Sequence, residues 1–112
     1  MKTYSWEEAQ KIIANKQNAE KIFFVIFSRQ NDKDSIIMSS TYEYIEQKFT
    51  SQTDVKFMNI DIDEAKIYKD INNIYKIFDI PTFLIIVNNQ IKKRGSKFYP
   101  HEIITDFIEE NI

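Results

Sequence analysis

Four polar residues, Asn31-Asp32-Lys33-Asp34, follow the apolar stretch 21–27 and precede a stretch with helical spacing. The first turn of a helix leaves four backbone N–H groups without partners, and the helix dipole places partial positive charge there. Asn and Asp side chains accept hydrogen bonds from such groups. The segment therefore predicts a helix N-terminus capped by Asn31, with Asp34 as its acidic third residue, or capped by Asp32 or Asp34.

A divalent-metal site is the alternative interpretation of the same aspartates. Asp32 and Asp34 follow one predicted strand, and Asp61 and Asp63 follow the next. Because parallel strands end at the same edge of a sheet, the four carboxylates could supply the oxygen ligands that Mg²⁺ or Ca²⁺ prefers. Asp-x-Asp pairs also begin helices, and the loop lacks a Gly for an ion-wrapping turn. We therefore favour capping roles for Asp61 and Asp63, and we expect no metal or other cofactor.

Other classes of site are excluded by residues that the chain lacks or isolates. The sequence contains no Cys, which rules out a thiolate nucleophile, a Cys-ligated zinc and a disulfide. His101 is the only histidine and follows Pro100 at the start of the last predicted helix. Ser28 ends a strand elsewhere in the chain, so we expect no Ser-His hydrolase. The single glycine, Gly95, cannot form a glycine-rich phosphate loop.

Length and composition indicate a single globular domain, residues 1–112. The net charge of −2 comes from interspersed charges, which argues against binding to nucleic acid or a membrane surface. The basic run 92–94 is interpreted as protection of a sheet edge. No stretch approaches the ~20 apolar residues needed to span a bilayer. Together with the lack of Cys, this predicts a cytoplasmic protein that is a monomer or a weak dimer.

Hydrophobic periodicity predicts the elements that would position these residues. Ser5 and Glu8 form a capping box that begins a helix, and Pro100 can open the last helix. Two apolar stripes with spacings of 4, 3 and 4 residues predict the second and third helices: Met38, Tyr42, Ile45 and Phe49, and then Ile67, Ile71, Ile74 and Phe78. The predicted elements are helices at 6–16, 32–49, 65–77 and from 100, with strands at 21–27, 55–60, 82–87 and 90–95.

The order of these elements predicts an α/β fold, a three-layer α/β/α sandwich. Strand-helix-strand units connect parallel strands through right-handed crossovers. Asn88-Asn89 suits a tight hairpin, because Asn tolerates positive φ, and the hairpin adds an antiparallel strand. The expected architecture is a central mixed sheet of four to five strands with helices on both faces, where residues 2–4 supply the fifth strand.

The segments "NID" at 59–61 and "DIPTFLIIVNNQI" at 79–91, followed by Gly95, resemble the thioredoxin family. In that family an Ile-Pro-Thr sequence begins the strand before the final hairpin, and its proline is cis. The resemblance covers nearly the whole chain. It implies the thioredoxin fold, with a cis Ile80–Pro81 peptide bond that faces the 31–34 loop.

The same resemblance places the family's Cys-x-x-Cys motif on Asn31 and Asp34, with Asp32 and Lys33 between them. Neither Asn nor Asp can act as the attacking or the resolving thiol in disulfide exchange. Three further departures fall where the family has a tryptophan, a buried acid and a proline, respectively: Gln30, Val25 and Ser39. The resemblance therefore implies a member that has lost thioredoxin-type redox catalysis.

The resulting hypothesis is a redox-inactive protein that binds a protein or peptide partner where thioredoxins bind their substrates. The expected contact residues are Arg29, Gln30, Asn31, Asp32, Lys33, Asp34, Ile80 and Pro81. The role would be that of an adaptor, a chaperone-like factor or an accessory of a thiol system. The alternative is a metal-binding module or enzyme that uses the four aspartates.

Overall fold

Five strands and four helices make up the chain, and the computed structural model describes all residues, 1–112. The strands are β1 (Thr3–Tyr4), β2 (Ile22–Ser28), β3 (Val55–Asp61), β4 (Thr82–Val87) and β5 (Gln90–Ser96). The helices are α1 (Trp6–Ala14), α2 (Lys33–Lys48), α3 (Ile62–Ala65) and α4 (His101–Glu109), with a short 3-10 turn at Lys16–Asn18. The helices do not include one with the length and apolar character needed to cross a bilayer.

The five strands form one mixed sheet in the order β1-β3-β2-β4-β5. β3 runs parallel to both β1 and β2, whereas β4 runs antiparallel to β2 and to β5. Asn88 and Asn89 form the turn between β4 and β5 with φ values of 52° and 60°. The hairpin predicted from this Asn pair is therefore confirmed, as is the mixed five-stranded sheet.

The central strand β2 is buried on both faces of the sheet, as its continuous apolar run predicted. Phe23, Val25 and Phe27 pack toward α1 on one face. Phe24 and Ile26 pack toward α2 and α4 on the other face. β2 therefore lies between two hydrophobic cores, and the loop that follows it leaves the sheet from this buried strand.

The third helix is the one element that the sequence pattern predicted wrongly. A helix was expected over 65–77, but α3 spans only Ile62–Ala65 and ends where Lys66 adopts a left-handed backbone with φ of 59°. Ile71 and Ile74, which were expected to form its buried stripe, are 70% and 77% exposed. The 4, 3, 4 spacing in this segment therefore does not correspond to a helical face.

Side-chain to backbone hydrogen bonds explain why the segment after α3 is not helical. Asp70 accepts a hydrogen bond from the Asn72 N–H, and Asn73 accepts one from the Tyr75 N–H, each at 2.9 Å. Such Asx turns compete with helical hydrogen bonding. The guanidinium of Arg94 donates to the carbonyl of Tyr75 at 2.6 Å, which attaches the segment to β5.

Two helix ends differ slightly from their predicted positions. α1 stops at Ala14 rather than near Lys16, because the Asn15 side chain accepts the Gln17 N–H and starts the 3-10 turn. Pro100 is the N-cap of α4 with an extended backbone, not its first helical residue. α1 starts where it was predicted, since the Ser5 hydroxyl accepts the Glu8 N–H, but the Glu8 side chain makes no return hydrogen bond to Ser5, so only half of the predicted capping box forms.

Candidate functional site

Asp32 caps the helix that follows β2. Its backbone is extended (φ −81°, ψ 127°), and its Oδ2 accepts the N–H of Ser35 at 2.8 Å. Among the three capping arrangements that the sequence allowed, the structure selects this one. Such a cap stabilises a helix by roughly 0.5–2 kcal/mol.

Arg29 and Asp63 form a two-point ion pair between the loop and α3. Arg29 Nε donates to Asp63 Oδ2 at 3.0 Å, and its Nη2 donates to Oδ1 at 2.9 Å. These hydrogen bonds lower the pKa of the Asp63 carboxyl and raise the pKa of Arg29. The guanidinium also lies 5.3 Å from the ring centre of Tyr68. Both groups are solvent-exposed, so the pair orients the loop more than it stabilises the fold.

Lys97 connects the start of α2 to the segment before β4. Its Nζ donates to Asp34 Oδ2 at 3.0 Å, and its backbone N–H donates to the carbonyl of Pro81 at 2.8 Å. The hydrogen bond to Asp34 is the main reason that the pKa of Lys97 is raised. Lys97 has a left-handed backbone with φ of 68°. Sequence reasoning missed Lys97, because nothing in the local pattern indicates a partner 63 positions away.

Pro81 lies at the end of β2, beside the loop. The pairing of Phe27 with Thr82 in the antiparallel ladder brings it there, and the Ile80–Pro81 peptide bond is cis. Both Ile80 and Pro81 are buried. Neither the N–H nor the C=O of Ile80 pairs with another backbone group of the chain.

The structure does not support the divalent-metal alternative. No group of three or more His, Cys, Asp or Glu side chains converges as a metal site would require. Asp32 binds the first turn of α2, and Asp61 accepts the N–H of Asp63 at the start of α3. Asp34 and Asp63 are each paired with a cation. In this structure the four carboxylates therefore do not form a common ligand set, and each is engaged individually by a helix N–H group or a basic side chain.

The groups that would assist thiol chemistry are also missing from this region. Val25 is fully buried in an apolar cluster, where a buried acid would be needed to assist thiol chemistry. His101 lies at the start of α4, with its Nε2 3.3 Å from Glu102 and its ring against Tyr44. With no Cys in the chain, this site has no sulfur to exchange.

Solved structures resemble this one over almost its whole length. A thioredoxin from Fasciola hepatica superimposes with a TM-score of 0.80, at 18% sequence identity and with complete coverage of both chains. The thioredoxin fold is the fold of this chain. The thioredoxin NaTrxh of Nicotiana alata gives a TM-score of 0.77 at 20% identity, covering 96% of this chain and 89% of its own.

Sequence comparison points the same way. The thioredoxin of Mycoplasmopsis pulmonis is 24% identical over 111 residues, covering 98% of this chain and 97% of the relative. No protein-family model matches the chain. The chain is therefore a divergent, cysteine-free protein with the thioredoxin fold.

Proposed function

We propose that this chain is a redox-inactive thioredoxin-fold protein that binds a protein or peptide partner across residues 29–34 and the Ile80–Pro81 edge. In such a complex this chain would act as an adaptor, a chaperone-like factor or an accessory of a thiol system. The observation that carries the proposal is the meeting of the two segments at Lys97, which is bonded to both Asp34 and Pro81.

The backbone of Ile80 supports a role in strand-like pairing. Its N–H and C=O have no backbone partner within the chain. Backbone groups in this condition can pair with an extended peptide, because main-chain hydrogen bonds supply affinity while neighbouring side chains select the sequence. No sulfur is required for this kind of contact.

The side chains around this edge provide varied contacts. Gln30, Asn31 and Lys33 are exposed on the loop, and Phe98, next to Lys97, is 55% exposed. An exposed ring together with exposed amide and ammonium groups suits a mixed apolar and polar peptide rather than a highly charged one.

The Lys97–Asp34 pair lies at this edge, because the Lys97 N–H is bonded to the Pro81 carbonyl. Ile80 and Pro81 are buried, so a partner must displace groups near them before it reaches the Ile80 backbone. The Lys97 and Asp34 side chains are 43% and 30% exposed. An ion pair so open to solvent contributes little to stability, so a partner can open it at small cost.

Site-specific photocrosslinking tests the proposal. A benzoylphenylalanine placed at Gln30 should crosslink a partner in cell extract, whereas the same group at Gln10 on α1 should not; both glutamines are exposed. Peptides covering the crosslinked segment should then bind the wild-type chain and Pro100→Ala equally, and Pro81→Ala several-fold more weakly. Equal crosslinking from both positions, or equal peptide affinity for all three chains, would contradict the proposal.

A further inference from the structure

Lysine occupies a backbone conformation that favours glycine at three positions after α3. Lys66, Lys69 and Lys76 have φ values of 59°, 59° and 53°. A side chain at positive φ strains the backbone, whereas glycine adopts this conformation freely. Glycine is also the usual residue where a helix ends in this conformation, yet α3 ends at Lys66. Backbone strain of this kind is concentrated at binding and catalytic sites, so three strained lysines in one segment indicate that their side chains have a function of their own.

The ammonium groups of these three lysines are available to a ligand. All three residues are exposed, and none forms an ion pair with a carboxylate of the chain. Two nearby carboxylates are already engaged, since Asp63 pairs with Arg29 and Asp70 accepts the N–H of Asn72. The segment therefore presents cations that have no partner of opposite charge.

Two isoleucines follow Lys69 in the sequence and project into solvent. Ile71 and Ile74 are 70% and 77% exposed, the highest values among the large apolar side chains of the chain. Each is the second residue of a turn, because the Asn73 N–H donates to the Asp70 carbonyl at 3.1 Å and the N–H of residue 76 donates to the Asn73 carbonyl at 3.3 Å. The segment therefore displays two apolar side chains, three residues apart, from a hydrogen-bonded backbone.

Contacts with the rest of the fold hold this segment in place. Nη2 of Arg94 donates to the carbonyl of Lys76 at 2.8 Å, which attaches the segment to β5. The ring of Tyr75 packs edge-on against Trp6 of α1, with the ring centres 4.9 Å apart. A surface that is already ordered loses less conformational entropy when a partner binds. We call residues 66–76 the lysine loop.

An acidic peptide with apolar side chains fits the lysine loop better than an extended anionic surface does. Its carboxylates would pair with the three ammonium groups, and its apolar side chains would cover the two isoleucines. The chain as a whole carries a net charge of −2, and Asp70 lies within the loop. A bilayer or a nucleic acid presents negative charge over a wide area and would be repelled by these carboxylates, whereas a peptide segment contacts the loop alone.

We propose that the lysine loop is a docking site for an acidic protein segment that also carries apolar side chains. The loop adjoins the partner surface proposed above, because the guanidinium of Arg29 lies against the ring of Tyr68, but the two share no residue. The proposal does not depend on binding at the Ile80–Pro81 edge, because the lysines and isoleucines that carry it lie outside that surface.

NMR titration of the ¹⁵N-labelled chain with a short capped peptide of glutamate and leucine tests the proposal. The largest amide shifts should fall within residues 66–76, and the affinity should decrease as salt is added, because exposed charges are screened. Replacing glutamate by glutamine in the peptide, or leucine by serine, should weaken binding several-fold. Absence of binding, equal affinity for the three peptides, or largest shifts within residues 29–34 would overturn the proposal.

Vesicles of phosphatidylglycerol and phosphatidylcholine serve as the comparison ligand. They should not sediment the chain, for the reason of charge given above. Sedimentation with these vesicles that Ile74→Ser abolishes would make a lipid surface the occupant of the loop, and would overturn the proposal.

Matched substitutions test whether the peptide contacts the loop itself. Lys69→Gln should weaken peptide binding several-fold, whereas Lys16→Gln removes the same charge from an exposed lysine in the 3-10 turn after α1 and should leave binding nearly unchanged. Ile74→Ser should also weaken binding, and Ile37→Ser, at a half-exposed isoleucine of α2, should not. Equal effects of a loop variant and its control would overturn the proposal.

A melting experiment distinguishes lysines used for binding from lysines that serve the fold. Lys66→Gly combined with Lys69→Gly relieves backbone strain at two positions, so this variant should melt at or above the wild-type temperature while it binds the peptide more weakly. Asn88→Gly combined with Asn89→Gly gives the same relief at the turn between β4 and β5 and should leave peptide binding unchanged. A clearly lower melting temperature for the lysine variant, or an unchanged affinity for the peptide, would overturn the proposal. The crosslinking result at Gln30 does not bear on these outcomes.

Discussion

The helices that follow β2 and β3 both start with an Asp-x-Asp pattern, yet they differ fourfold in length. Asp32 caps α2, which continues for 16 residues, and Asp61 caps α3, which stops after four. The two N-caps have similar extended backbones and each accepts a backbone N–H from the first turn. The cap chemistry alone therefore does not set how far a helix runs.

The difference lies in what each segment buries. On α2, Met38, Tyr42 and Ile45 all pack into the core between the helix and the sheet. After α3, Ile71 and Ile74 remain exposed. Helical stability in proteins comes mainly from packing an apolar face, so a cap followed by a packed face gives a long helix, and a cap without one gives a single turn.

The largest expected effect comes from introducing a pair of cysteines at the start of α2 or at the start of α3, the two strand-to-helix junctions compared above. The wild-type chain should show no insulin reduction with dithiothreitol above the background rate, because it has no thiol. The double variant Asn31→Cys, Asp34→Cys should gain measurable turnover, because the start of α2 lowers thiol pKa values and Pro81 is adjacent.

A cysteine pair with the same spacing at the start of α3 is the control for that gain in turnover. Asp61→Cys with Glu64→Cys also places a Cys-x-x-Cys motif at a helix start, but beside a four-residue helix. We expect its turnover to be far lower than that of the α2 variant. Turnover by the wild-type chain, or equal turnover by the two variants, would contradict the distinction drawn between the junctions.

The second prediction concerns the packed face itself. Ile45→Ala should lower the free energy of unfolding by about 2–5 kcal/mol, because Ile45 is fully buried and the truncation leaves a cavity. Ile74→Ala makes the same chemical change at a side chain that is 77% exposed, and should stay within about 0.5 kcal/mol of wild type. Urea denaturation measures both. Similar losses for the two variants would mean that the 66–81 segment packs more tightly than the structure shows.

The contrast between these isoleucines also indicates which parts of the fold were accessible from sequence. Three local patterns were each compatible with one local structure and were predicted correctly: the buried stripe of α2, the apolar run of β2 and the Asn88-Asn89 turn. The stripe expected over 67–78 has identical spacing, but the Asp and Asn residues at 70–73 form turns that compete with the helix. These polar residues indicated turns rather than a helix, and a prediction based on hydrophobic periodicity alone does not take them into account.

The site was only partly predictable for a related reason. The cap of α2 involves neighbouring residues, so local chemistry indicated it, although three arrangements remained open. The bonds of Lys97 to Asp34 and to Pro81 join distant parts of the chain, and no spacing rule encodes them. Even for Asp63, the sequence suggested a metal ligand or a cap, whereas its partner is Arg29, 34 positions earlier.

The third prediction compares the two caps directly. Asp32→Ala should destabilise the chain by roughly 0.5–2 kcal/mol, because a long helix packed on the core depends on this cap. Asp61→Ala should cost less, because α3 is a single turn whose loss exposes little further apolar surface. Urea denaturation of the two variants, with Asp106→Ala in the middle of α4 as a control, measures the difference. An equal or larger loss for Asp61→Ala would mean that the cap, rather than the buried face, determines what each helix contributes.

The smallest effect concerns the ion pair that links the two junctions. Arg29 lowers the pKa of Asp63 in the folded chain through its hydrogen bonds. The charged carboxylate therefore favours the folded state above the ordinary Asp range, and this contribution disappears as the pH falls through the lowered value. Because the pair is exposed, we expect a small change in stability and a clear change in titration.

NMR titration of the Asp63 carboxyl carbon tests this link. In Arg29→Gln the pKa of Asp63 should rise toward the usual value for an aspartate, because the guanidinium donors are gone. Lys33→Gln removes a neighbouring charge of the same loop that makes no hydrogen bond to Asp63, so it should leave the pKa nearly unchanged. If both variants raised the pKa equally, general charge around the loop, rather than the specific Arg29 contact, would connect the start of α2 to the start of α3.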